Sequence, residues 1–144
     1  MNVLPREKQT ALIRAIVEGC SIRTTERMFG VHRDTIMRLA LRVGEGCARL
    51  HDRTMRDVSC KDIQLDEIWT FVHKKQKRLT EAEKPIMLEW GDQYTFVAID
   101  RKTKLVAAYR VGKRDGANTD AFLADLRGRV NGSRPQLSSD AFDP

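Results

Sequence analysis

Cysteine is scarce in this chain, and what there is does not cluster. Cys20, Cys47 and Cys60 are odd in number and widely spaced, with no C-x-x-C pair. That argues against a structural zinc site or a disulfide framework, and leaves buried apolar thiols in a reducing compartment as the expectation. Long apolar runs are missing too. Nothing approaches the ~20 residues of a spanning helix, and a hydrophobic content of 41% suits a globular core and not a membrane protein. The N-terminal Met1-Asn2-Val3-Leu4-Pro5-Arg6-Glu7 has no basic segment followed by an apolar one, so no secretory leader is read there. There is no internal repeat and no low-complexity tract, which excludes repeat arrays and biased linkers.

Charge is plentiful. The formal net charge is +6 over 144 residues. Residues 1–62 hold 12 basic and 8 acidic side chains, and residues 63–144 hold 14 and 12. The smaller part therefore carries the larger surplus, which suits a polyanion-binding head.

That head reads as three helices. Pro5 stands at a first turn, and Ala11, Leu12, Ala15 and Ile16 form an apolar stripe at helical spacing. Gly19 is a C-terminal stop. Ser21 caps a short second helix whose apolar side is Ile22, Thr25, Met28 and Phe29. Gly30 breaks it, and a third helix runs from about His32 through Ile36, Leu39, Val43 and Leu50. Phe29 and Val31 flank Gly30, as expected where two helices lock across a tight turn. His32, Arg33, Asp34, Thr35 and Arg38 then face outward as base or phosphate contacts, while Arg14, Arg23 and Arg27 suit a DNA backbone. The plain alternative is a helical bundle with a solvated basic face. Gly44 and Gly46 are expected to weaken the third helix at ~1 kcal/mol each relative to Ala, and residues 51–62 read as a linker.

The stretch Ile63-Gln64-Leu65-Asp66-Glu67-Ile68-Trp69-Thr70-Phe71-Val72 reads as a buried strand with acids in its middle. An unpaired buried charge costs several kcal/mol or more, so Asp66 is expected to be paired, protonated or on a metal. The basic run His73 to Arg78 and the segment Leu79 to Gly91 read either as a solvated loop or as a phosphate-contacting one. Tyr94 to Ile99 and Leu105 to Val111 form a hairpin. Asn118 or Thr119 caps a helix with Phe122, Leu123, Leu126 and Val130 on its apolar side, and Gln136 to Ser139 is a short strand leading into Asp140. This order suggests a mixed sheet with the last strand parallel to the first, which brings Asp66 and Asp140 together. Adjacent carboxylates repel unless protonated or bridged by cations.

Leu65-Asp66-Glu67-Ile68-Trp69 and Leu137-Ser138-Ser139-Asp140-Ala141-Phe142 resemble the ribonuclease-H-like core of DDE transposases. With the head in front, the chain resembles an insertion-sequence-one-type transposase over nearly its whole length. Gly30-Val31-His32-Arg33-Asp34-Thr35-Ile36, Gly91-Asp92-Gln93-Tyr94-Thr95-Phe96 and Gly112-Lys113-Arg114-Asp115-Gly116 carry the likeness further. Glu26 departs from the usual small residue of the helix-turn-helix.

The resemblance implies a mixed α+β and α/β chain: a helix-turn-helix domain over residues 1–50, a linker over 51–62, and a partial ribonuclease-H-like core over 63–144. It implies Asp66 and Asp140 as catalytic and metal-binding residues, with two Mg²⁺ or Mn²⁺ ions in a complete site. It also implies double-stranded DNA as partner, with self-association left open, and a bacterial cytoplasmic, nucleoid-associated location. The family's third acid lies on a helix downstream and has no counterpart here, so a truncated, catalytically deficient fragment is expected. The alternatives are a DNA-binding regulator or transposition inhibitor without enzymatic activity, and a decayed gene product.

Overall fold

The computed structural model describes residues 3–83, 89–132 and 134–140. The chain divides into two compact units, Met1–Thr54 and Met55–Pro144. Among the described residues they hold four α-helices and a four-stranded mixed sheet, so the mixed α and β class stands.

The first unit is helical. α1 spans Arg6–Val17 behind Pro5, whose carbonyl accepts from the Gln9 N–H. α2 spans Ile22–Phe29, and the Ser21 hydroxyl accepts from the Thr24 N–H at 3.1 Å, satisfying one orphan donor of the first turn. Gly30 ends α2 in the left-handed region at φ 62°, where a side chain would add strain. α3 spans Arg33–Thr54. Leu12, Val31, Ile36 and Leu39 form the buried centre, with Ile13, Ile16, Ile22, Phe29 and Val43 packed around it. Thr25 is also fully buried, and its hydroxyl donates to the Ser21 carbonyl at 3.0 Å.

Two residues expected in this core lie outside it. Met28 is 61% exposed, because the inward stripe of α2 is Ile22, Thr25 and Phe29, and Met28 falls about a quarter turn away from it. Leu50 is exposed because α3 extends well past the turn that carries Val43, the last of its residues packed on the core. The helix continues through Gly44 and Gly46 and takes in residues 51–54, so its end lies four residues inside the expected linker. Two glycine costs of this size do not stop a helix that is otherwise intact on both sides.

The second unit is a sheet with one helix. β1 spans Asp62–Val72, β2 Gly91–Asp100, β3 Val106–Gly112, α4 Gly116–Arg129 and β4 Gln136–Ser139. The strand order is β3-β2-β1-β4. β2 pairs antiparallel with both β1 and β3, and β4 pairs parallel with β1. The expected hairpin and the parallel return of the last strand are both present. In the hairpin turn, the Asp100 carboxylate accepts from the Thr103 N–H at 2.8 Å and hydroxyl at 2.6 Å. These bonds hold the Asp100 carboxyl below its usual range.

Cys60, Ile63, Phe96, Ala98, Ala107, Ala108, Phe122 and Leu126 form the second core. Of the three thiols only Cys60 is buried, and burial pushes its pKa up; Cys47 is exposed. α4 is capped by Asp115, whose carboxylate accepts from the Asn118 N–H at 2.8 Å. The cap therefore lies upstream of both expected residues. Asn118 instead uses its side chain to bridge Asp115 and Arg110. Arg129 is buried, bonded to Asp125 at 2.8 Å and to the Met55 carbonyl. Among the described residues no helix is long and apolar enough to cross a membrane.

Candidate acidic site and basic helical surface

The two acids singled out in the sequence meet through strand register. β1 and β4 pair from Asp62 with Gln136 through Leu65 with Ser139. Asp66 and Asp140 each follow directly on the last residues of this pairing, Leu65 and Ser139.

Asp66 is exposed, which corrects the expectation of a buried acid. Ile63, Leu65 and Glu67 alternate toward the side that α4 covers, and Asp66 falls on the other. Nor is β1 a buried strand as a whole. Ile68, Trp69, Phe71 and Val72 are each at least 43% exposed, because the core residues of β1 are all in its first half. The Asp66 Oδ1 accepts from the Glu67 N–H at 2.8 Å, a contact that orients the carboxylate along its own strand.

Glu67 is the acid that strand alternation sets aside, and it is not remote from the pair. It is half-buried in a cleft of about 200 Å³ shared with Leu65, Asp66, Thr119, Phe122 and Ser139. Burial raises its pKa above the usual carboxylate range; Arg114 opposes that rise, while Asp140 and Asp66 add to it. The influence of Asp140 on Glu67 is a feature that sequence spacing did not reveal. Among the described residues, however, no group of three His, Cys, Asp or Glu side chains is placed to hold a metal ion. Ala141 and Phe142, which belong to the Asp140 motif, lie outside the described residues.

In the helical unit, His32, Arg33 and Arg38 are exposed and Thr35 is half-buried at the start of α3. Asp34 lies 3.6 Å from His32 Nδ1 and 3.8 Å from Arg33 Nε. Arg23 and Arg27 are exposed on the first and last turns of α2, with Arg27 reaching the Thr24 hydroxyl at 3.4 Å. Arg14 is exposed on α1. A groove of about 680 Å³ is edged by Thr35, Arg38 and Arg42. Glu26, the departure noted in the sequence, has a defined task. Its carboxylate accepts from the Arg33 N–H at 2.9 Å, so a side chain of α2 caps the first turn of α3 across the Gly30 turn.

The basic run after β1 is only partly a solvated loop. Lys74 bonds Glu83 at 2.7 Å, Lys75 sits 5.0 Å over the Trp69 ring, and His73 stacks on Trp90 at 3.9 Å. The Gln76 N–H donates to Asp92 at 2.9 Å. Lys77 and Arg78 are exposed. Residues 84–88 of the following segment lie outside the described residues. No protein-family model matches the chain, and no curated protein matches it either.

Proposed function

We propose that this chain is a DNA-binding protein of the DDE transposase type. In this reading the helical unit engages duplex DNA through the first turn of α3, and Asp66 with Asp140 marks the DNA-processing centre. The observation that carries the proposal is the parallel pairing of β1 with β4, whose last partners, Leu65 and Ser139, immediately precede Asp66 and Asp140. Support also comes from the exposed His32, Arg33 and Arg38 at the start of one helix, since helix N-terminal turns with cationic side chains suit the major groove and its phosphates.

The donor chemistry of the pair fits a hard cation. Mg²⁺ takes oxygen ligands and commonly uses one or two carboxylates together with substrate phosphates. Asp66 and Asp140 would hold the ion, which when bound supplies Lewis-acid polarisation of a phosphate oxygen. The chain's own contribution is the parallel strand pairing that leads into both aspartates, with the Glu67 N–H fixing one Asp66 oxygen.

The DNA-binding part is tested by gel shift of the full chain with duplex DNA at low salt. Binding is expected. Arg33→Ala and Arg38→Ala each remove about one unit from the slope of log affinity against log salt if the lost contact is to a phosphate. No shift with any duplex at low salt would sink the reading.

A second reading is a DNA-binding regulator without strand-transfer activity. It rests on the exposed cationic side chains of the helical unit alone, Arg23, Arg27, Arg33 and Arg38. It expects DNA binding with no strand transfer by the 144-residue chain. Strand transfer that disappears in Asp66→Asn would eliminate it.

A further inference from the structure

The far half of β1 carries a feature that the acidic pair does not use. Glu67, Trp69 and Phe71 alternate onto one side of the strand. Trp69 and Phe71 are each 43% exposed, with ring centroids 5.8 Å apart. Tyr94 stands opposite Trp69 in register. Cations attend these rings: Lys75 Nζ lies 5.0 Å from the Trp69 centroid and the Arg114 guanidinium 6.0 Å from that of Tyr94. The exposed Lys77 and Arg78 follow within the same basic run.

We infer that Trp69, Phe71 and Tyr94, with Lys75 and Arg114, form a stacking platform for single-stranded DNA on the Glu67 face of β1. Two exposed rings, Trp69 and Phe71, and a half-buried one, Tyr94, bordered by cations, match the two needs of an unpaired strand, a surface for base faces and charge for its phosphates. A duplex keeps its bases stacked on each other and offers these rings nothing. A purely apolar partner gains little from rings already attended by an ammonium and a guanidinium. The platform shares its strand and face with Glu67, on the side of β1 opposite to Asp66. This inference takes DNA as the nucleic acid from the reading above.

The test uses the full chain and two probes, an oligothymidylate of ~15 nucleotides and a duplex. The oligothymidylate is expected to quench tryptophan fluorescence and to bind about 10-fold more weakly to Trp69→Ala. Trp69→Phe, which keeps an aromatic face, restores most of the affinity, and Trp69→Leu, which keeps only apolar bulk, does not. Duplex affinity is unchanged by all three variants and falls in Arg38→Ala. Circular dichroism matching the parent chain establishes that each variant is folded. Duplex binding without oligothymidylate binding overturns the platform and leaves the proposed function standing. Tryptophan-dependent oligothymidylate binding without duplex binding supports the platform and removes the helical DNA-binding surface. Equal, tryptophan-dependent binding of polyglutamate would overturn the assignment to a nucleic acid.

Discussion

The helical unit closes around Leu12, Val31, Ile36 and Leu39, whereas the sheet unit leaves Ile68, Trp69, Phe71 and Val72 substantially exposed on a single strand. Both have well-buried centres, so the difference lies in where each places residues that do not serve its core. In the helices these are charged side chains at the start of α3 and along α2. In the sheet they are acids and aromatics along β1. Local capping also differs. Ser21, Gly30 and Glu26 fix the path from α2 to α3 within a short stretch of chain. The acidic pair depends on two strands separated by the hairpin and α4.

The largest expected effect separates the two units directly. Ile36→Ala empties a fully buried position and is expected to cost ~2–5 kcal/mol in the helical unit. Both tryptophans, Trp69 and Trp90, lie in the sheet unit. Under denaturant the helical circular dichroism signal should therefore move to lower midpoint while tryptophan fluorescence keeps its own. Equal shifts in both signals would show that the units unfold as one.

A smaller effect is expected at Gly91, which opens β2 at φ 89°. A methyl group there would press on the Gln76 side chain and on Leu79. Gly91→Ala is expected to destabilise the sheet unit by ~1–3 kcal/mol, from backbone strain together with the crowding. The fluorescence midpoint checks this, and an unchanged midpoint would show that the turn relaxes freely.

The smallest effect is a pH response confined to the basic loop. The hydrogen bond from Lys74, aided by those from Thr80, lowers the Glu83 pKa from 4.5 to about 2. A lowered folded-state value means that the contribution is fully present above about pH 4.5 and fades as pH falls toward 2. Loop hydrogen-exchange protection, taken relative to the intrinsic exchange rate at each pH, should fall over that interval, and Lys74→Met should flatten the response. A response unchanged in Lys74→Met would assign it to another group.

Much of this arrangement was legible in the sequence. Ser21, Gly30, Ile36 and Leu39 announce the helical core because caps, breaks and apolar periodicity are local signals. The hairpin and the parallel return of β4 follow from element order and connection length. Burial along β1 was not legible, since an apolar strand reads the same whether or not a second layer covers it. The Asp115 cap lay hidden in a glycine-flanked stretch that reads as a loop. The task of Glu26 depends on a fold-back across Gly30, and the influence of Asp140 on Glu67 depends on the return of β4 beside β1. Neither contact has a sequence period to reveal it.

The pairing of Asp66 with Asp140 is most directly tested by Mn²⁺ titration of the full chain followed by electron paramagnetic resonance. Bound Mn²⁺ is expected, lost in Asp66→Asn and equally in Asp140→Asn, and retained in Glu67→Gln. Mn²⁺ binding that survives Asp66→Asn, or no binding by the parent chain, would contradict the carboxylate pair as a metal site.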